Sequence, residues 1–464
     1  KKYKIKKHKP FKVRKRKIKL LKQKKTVSSS PNSKKINSET NFIEEDNIEI
    51  IFFENNFKNK DEINKFINEF KDNDLIEWVQ PNKIYKTQFI PDDSLLKAQD
   101  SLKLMKMTKV WDVTHGTSNV VIAVIDTGIK YTHPDIADNI WMNKNEVINN
   151  IDDDKNGKID DIRGWDFVDL ADPSMGHSSD DIKTEDNDPD DLFLHGTHVA
   201  GVSNAVMNNL IGIAGVAPNC KVMALRAGYK DSGGGGSFTS RGIAAAIYYA
   251  VNNGANIINM SFGGPGPDTF ITDAVQYAMD KDILCIAAAG NNGENINNSI
   301  SSKKFTPATI PGVLTVGAVN ESKERSSFSN YGPDIDITAP GVDIYSLSYD
   351  YVNSRFAWNI MSGTSQAAPN VAGVAALLYS LNPSLTSTEV KSLLTTQSAE
   401  DLGDSGRDDY YGVGLINPYE AIKLLDKSKA VASHSTPPTI NMGDSVTLSI
   451  TIEDDLKNAF IPSA

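Results

Sequence analysis

The sequence predicts an α/β fold with a mostly parallel sheet flanked by helices, and two observations carry that prediction. Between residues 93 and 426, short apolar runs alternate with longer stretches of helical periodicity. The runs are mostly apolar without strict alternation, the pattern of strands buried on both faces, and parallel strands need crossovers long enough to hold a helix.

In order, the strand candidates are Val120–Ile125, Lys221–Leu225, Ile257–Met260, Ile283–Ala288 and Val313–Val316. The helical stretches between and after them are Gly242–Asn252, Phe270–Lys281 and Gln366–Leu381. In such a sheet ligands lie beyond the carboxyl ends of the strands, so residues just after each run are the first to consider for function.

The flanking regions differ in composition. Of the 49 Lys and Arg, 17 fall in residues 1–38, which hold no acidic residue; the other 32 accompany all 59 Asp and Glu. A basic arm (1–41, its end a Ser/Asn-rich linker) thus precedes an acidic body. The arm reads as a solvated tail. It lacks the aromatic interleaving of a nucleic-acid binder, and no nucleic-acid partner is expected. Residues 46–88 read as a small α+β module, with strands at Ile48–Phe53 and Ile76–Val79 around a helix at Lys60–Lys71. Residues 427–464 read as a linker and the start of a further β domain, from the alternation in Ser445–Ile452. No apolar stretch reaches 18 residues, so no spanning helix is expected. No apolar signal core follows the arm, and a targeting segment is expected to have been removed. Two cysteines, Cys220 and Cys285, make no disulfide framework.

Amide hydrolysis by a serine needs a hydroxyl, a base, a carboxylate to orient the base and donors for the oxyanion. His195, in Leu194-His-Gly-Thr-His-Val-Ala-Gly, sits where an acidic loop meets a small-residue helix. Paired with His198 it could suggest zinc, but a His-Glu-x-x-His site wants Glu where Gly196 stands. Asp126 follows a buried strand and precedes Thr127-Gly128; an Asp there is also an ordinary helix cap. Ser365, in Gly363-Thr-Ser-Gln-Ala-Ala-Pro, heads a buried helix whose first turn offers free N–H groups, and could equally be a cap. Asn291 ends the run that begins at Ile283; it could bind an oxyanion or simply make a turn.

Together these segments resemble the subtilisin family. Val124-Ile-Asp-Thr-Gly, His195-Gly-Thr-His-Val-Ala-Gly, Ala288-Ala-Gly-Asn and Gly363-Thr-Ser-Gln-Ala-Ala-Pro follow the family's order, and the likeness spans roughly 93–426. Leu194 departs from it, since many members carry a small residue before the histidine. The resemblance implies a subtilisin-like serine endopeptidase acting on polypeptides. Ser365 would be its nucleophile, His195 its base, Asp126 the orienting acid, and Asn291 an oxyanion donor. It also implies a Gly-rich edge at Gly233, Gly234 and Gly235 that pairs with extended substrate, opposite Ser261, Phe262 and Gly263. Ala288 and Gly290 would stand in the facing wall of the first specificity pocket, with Phe305 at its bottom. No acidic residue stands in either wall, which argues against strict Lys/Arg specificity.

Two calcium sites are expected. Asp152, Asp154, Asn156 and Asp160 alternate around Gly157, with Lys158 in the same turn and Asp161 as an additional ligand, although Arg163 replaces the last glutamate of an EF-hand. The second site rests on resemblance: Asp135 and Asn209 by side chain, Met207, Ile211 and Ile213 by carbonyl. By the same resemblance residues 46–88 are an inhibitory propeptide, removed by self-cleavage between about Lys86 and Leu95, and the mature protein is a monomer, secreted or at the cell surface. The alternative is a catalytically inactive relative serving as a binding protein. A lipase-like hydrolase would want a Gly-x-Ser-x-Gly elbow, which Gly363-Thr-Ser-Gln-Ala does not supply.

Overall fold

The computed structural model describes residues 79–82, 90–298, 303–425 and 448–451, and the chain divides into two compact units, residues 88–425 and the two chain ends. The basic arm, the strand and helix expected within 48–71 and the linker at 428–438 lie outside the described residues. In the unit of chain ends, Val79–Asn82 pairs in parallel with Leu448–Thr451. The first meets the expected Ile76–Val79 at Val79, residues 76–78 lying outside the described residues; the second lies inside the alternating run at 445–452.

The larger unit is built on seven strands. In chain order they are β1 (Val121–Asp126), β2 (Gly164–Asp166), β3 (Lys221–Arg226), β4 (Ile257–Met260), β5 (Leu284–Ala288), β6 (Leu314–Val319) and β7 (Ile337–Pro340). They lie in the spatial order β7-β6-β5-β4-β1-β3-β2, and every neighbouring pair is parallel. After β1 the chain fills β2 and β3 on one side, then crosses to β4 on the other. The crossover direction therefore reverses at the β1/β4 pair, which is where a crevice opens above the carboxyl ends.

Five of the seven strands coincide with the apolar runs. The outer two, β2 and β7, escape the sequence pattern because Gly-Trp-Asp and Ile-Thr-Ala-Pro contain no such run. β7 closes on Pro340, which is tolerated at a sheet edge.

Four helices cover the sheet: α1 (His195–Asn204), α2 (Ser240–Asn252), α3 (Thr269–Asp280) and α4 (Thr364–Leu381). Side chains alternate across β1, so Ile122 and Val124 pack with Val199, Ala200 and Val371 from α1 and α4, while Val121, Ala123 and Ile125 pack with Ile247 and Val275 from α2 and α3. Each fully buried Ile or Val there contributes about 1.5–3 kcal/mol of transfer free energy. α2 and α3 start one or two residues before their apolar periodicity, because Thr239 accepts from the Gly242 amide and Asp268 from the Ile271 amide as N-caps. α4 is buried from Thr364 to Tyr379, a core helix with no solvent face. Among the described residues no helix is long and apolar enough to cross a membrane.

Candidate active site

Asp126 is the last residue of β1 and is wholly buried; His195 is the first residue of α1. The His195 Nδ1 lies 2.7 Å from Asp126 Oδ1, which also accepts the Thr127 amide at 2.8 Å. Helix and strand end approach so closely because of Gly196. A methyl there would stand 2.8 Å from Asp126 Cβ and closer still to the Gly128 carbonyl. That contact also excludes the zinc motif, since no side chain fits where its glutamate would stand. His198 points elsewhere, donating from Nε2 to the Ile344 carbonyl (3.0 Å), and burial lowers its pKa to about 3.

Asp191 shapes the turn before α1 and was passed over in the sequence as one of several acidic residues in 185–191. Fully buried, it accepts five hydrogen bonds: from Thr127 Oγ1, Phe193 N and Leu194 N on Oδ1, and from Thr197 N and Oγ1 on Oδ2. These clamp the residues on either side of His195 and hold Leu194 at φ 74°, a left-handed conformation a leucine rarely adopts. Burial pushes the Asp191 pKa up to about 6 against the pull of its hydrogen bonds. For His195, burial lowers the pKa, but the Asp126 charge and hydrogen bond, with a smaller part from Asp191, outweigh it and the net shift is upward.

Ser365 lies in the first turn of α4. Four residues on, Pro369 has no N–H to close the helical bond to the Ser365 carbonyl. That carbonyl instead accepts the Ser261 hydroxyl (2.8 Å), while the Ser365 hydroxyl donates to the Ser261 carbonyl (2.8 Å). The reciprocal pair ties the head of α4 to the end of β4. Asn291, just beyond β5, accepts from Thr364 N (2.8 Å) and Thr364 Oγ1 (2.9 Å) on its Oδ1, which leaves its amide N–H groups to donate.

One cavity of about 340 Å³ is lined by His195, Ser365, Asn291, Ser261, Phe262, Gly263, Ala288, Gly290 and Phe305, so the residues expected at the site and in both pocket walls converge. Gly233, Gly234 and Gly235 of the expected Gly-rich edge do not line this cavity. Gly233–Gly235 form an exposed hairpin turn wrapped around Asp231, which accepts the Gly233 and Gly235 amides (both 2.9 Å). It is Gly236 and Phe238 of the following strand that line the cavity, together with Phe193. A run of four glycines gives no internal mark of which ones turn.

In the acidic loop, oxygens of Asp152, Asp154 and Glu146 lie within 4.8 Å of one another. Glu146, which precedes the loop and escaped the spacing rule, accepts the amides of Asp154 (2.9 Å) and Asp160 (3.1 Å). Asn156 accepts the Lys158 amide (2.7 Å) and donates to Asp161 (2.9 Å). The Asp160 carboxylate is engaged by the Asn149 and Asn150 amides, and buried Asp161 by Tyr249 and Asn143. The Lys158 ammonium turns away to Glu185 (2.6 Å). Among the described residues no ion pair reaches Glu146, Asp152 or Asp154, and a cluster of unneutralised carboxylates, Glu146 buried and the two aspartates half-buried, fits a hard cation.

At the second locus Asp135 is wholly buried and accepts from Asn209 Nδ2 (2.8 Å), Ile213 N (2.9 Å) and Trp358 Nε1 (3.1 Å). Burial raises its pKa to about 6. Asp93, missed in the sequence, accepts the Asn208 amide (3.1 Å) and brings a second buried carboxylate to the loop that carries Met207, Ile211 and Ile213. This donor set, carboxylates and carbonyls with no ammonium or guanidinium paired to it among the described residues, also fits calcium.

Residues 117–414 match the subtilase family. The chain is 36% identical over 397 residues to a thermophilic serine proteinase from Bacillus sp. (strain AK1), covering 85% of this chain and 81% of that one. It is 33% identical over 338 residues to thermitase from Thermoactinomyces vulgaris, covering 72% of this chain and all of the relative. A solved protease of Pseudoalteromonas arctica superposes with a TM-score of 0.58 at 28% identity, over 72% of this chain and 99% of that one. Similarity of this extent, over a site whose parts converge as described, places the chain in the subtilase family as a serine endopeptidase.

Proposed function

We propose that this endopeptidase works through Ser365, His195, Asp126 and Asn291. Rotation of the Ser365 side chain carries its hydroxyl from the Ser261 carbonyl toward His195, a loose resting geometry being common before substrate binds. Ser365 attacks the peptide carbonyl as His195 takes its proton, and the same proton passes to the leaving amine. Asp126 holds the proton-bearing Nδ1 and stabilises the imidazolium. Asn291 and the Ser365 amide donate to the oxyanion; water then resolves the acyl-enzyme by the reverse route. The observation that carries this reading is the 2.7 Å bond between half-buried His195 and buried Asp126, opening into one cavity with Ser365 and Asn291. A fluorophosphonate probe should label wild-type protein and not Ser365→Ala. Wild-type protein that remains unlabelled would mean an inactive binding protein.

Calcium supports the fold in this reading. Glu146, Asp152, Asp154, Asn156 and the Lys158 carbonyl would hold one ion, with Asp160 and Asp161 bracing the loop. Asp135, Asn209, Asp93 and the carbonyls of Met207, Ile211 and Ile213 would hold another. Bound calcium would neutralise the gathered carboxylates and tie together the loops that carry them. Residues 46–88 act as an intramolecular inhibitor. The boundary between the compact units, at Thr87/Gln88, falls inside the interval expected for self-cleavage. The mature form would be a secreted or surface-held monomer. N-terminal sequencing tests this: wild-type protein should begin between about Lys86 and Leu95, and Ser365→Ala should keep residue 50.

A further inference from the structure

We propose that Phe305 closes the pocket for the residue on the acyl side of the scissile bond, so that the enzyme selects small side chains there, alanine, glycine or serine, over leucine, methionine or phenylalanine. This rests on the proteolytic reading above. His195 delivers its proton to the leaving amine, so the leaving group lies on the His195 side of Ser365. The acyl residue then lies on the far side, and its side chain points between Ser261–Gly263 at the end of β4 and Ala288–Gly290 at the end of β5, the two walls that line the cavity there.

That space already holds a ring. Phe305 sits on a short strand, Lys303–Thr306, whose residues 304–306 pair antiparallel with Gly264–Gly266, setting Phe305 opposite Pro265. The Phe305 carbonyl accepts the Thr309 amide (3.0 Å), which fixes the backbone that carries the ring. A methyl on Gly290 would stand 2.7 Å from both Cε1 and Cζ of Phe305, and one on Gly263 would meet the same Cε1 edge. Gly263 thus gives the Phe305 ring its room, and Gly290, which its φ of 98° and Asn330 also require to be glycine, leaves no further space beside the ring. A large apolar side chain entering between the walls would have to displace an aromatic packed against the interior. Among the described residues no carboxylate lines the cavity, so a lysine or arginine would gain no charge partner in exchange.

Processed wild-type protein and Phe305→Ala are compared on succinyl-Ala-Ala-Pro-Xaa-p-nitroanilides with Xaa as Ala, Leu and Phe, each enzyme normalised by active-site titration. Wild-type kcat/KM for Xaa = Ala should exceed that for Phe by about tenfold or more, the discrimination a pocket's shape can supply. Phe305→Ala should raise kcat/KM for Phe at least tenfold while changing that for Ala less than threefold. Should Phe305→Ala fail to fold, Phe305→Leu should move the ratio the same way by a smaller factor. Wild-type enzyme that cleaves Phe or Leu as well as Ala overturns the proposal, as does a ratio unmoved by either variant. Hydrolysis of no member of the series above a Ser365→Ala background would instead sink the proteolytic reading itself, and this inference with it.

Discussion

Gly196→Ala adds one methyl group, yet it should disable the enzyme. The ideal Cβ would lie 2.8 Å from Asp126 Cβ, where ordinary contact begins at 3.4 Å, and closer than that to the Gly128 carbonyl. Neither neighbour can yield, because Asp126 ends a central strand and Gly128 lies against the 189–190 backbone. The start of α1 must therefore retreat by at least 0.6 Å, carrying His195 away from a carboxylate now 2.7 Å distant. A misplacement near 1 Å at a reacting group costs about 10²-fold, so a loss of roughly 10–100-fold in kcat is expected, about 1.4–2.7 kcal/mol. Alanine is the better helix former, so local propensity would, if anything, favour the variant by up to about 1 kcal/mol. Peptide p-nitroanilide hydrolysis, corrected by active-site titration and accompanied by a urea midpoint, measures the effect. Activity within threefold of wild type would refute the claim that this close approach sets the His195–Asp126 geometry.

Asn291→Ala should lower kcat by about 10²–10³ and leave KM nearly unchanged, because its free amide N–H groups act on the developing oxyanion; steady-state kinetics reads both. Activity should fall as pH drops through a His195 pKa held above its usual 6.5. Asp191→Asn removes a negative charge that favours the imidazolium, so the acid limb of kcat/KM against pH should move to lower pH. A rate loss with no shift of that limb would show that Asp191 acts on position alone. Excess EGTA should lower Tm and speed autolysis, since an ion at 100 times its Kd contributes about 2.7 kcal/mol. Glu146→Gln should shrink that shift in Tm by calorimetry; an unchanged shift would remove Glu146 from the ligand set.

The sequence legibly carried the central sheet and the chemistry. Five buried strands declared themselves as apolar runs, because burial on both faces leaves few positions for polar side chains. The motifs around Asp126, His195, Asn291 and Ser365 were readable because each needs special backbone as well as a reactive group. Gly196 lets the helix touch the strand end, and Pro369 frees a carbonyl for Ser261. The acidic loop at 152–161 was visible as alternating oxygens, which its own local turns require.

What only the tertiary structure decided are relations between segments distant in sequence, where no local period exists to betray them. Asp191, Asp93 and Glu146 looked like three more acids in an acidic body until folding buried them beside His195, Asp135 and Asp152. That Gly236 and Phe238 of this hairpin line the cavity follows from its register, which depends on where Asp231 closes the turn. The place of Phe305 at the cavity likewise needed its strand to be set against Gly263 and Gly290. A side chain's identity fixes what it can do, but its partners are chosen by the packing of the whole domain.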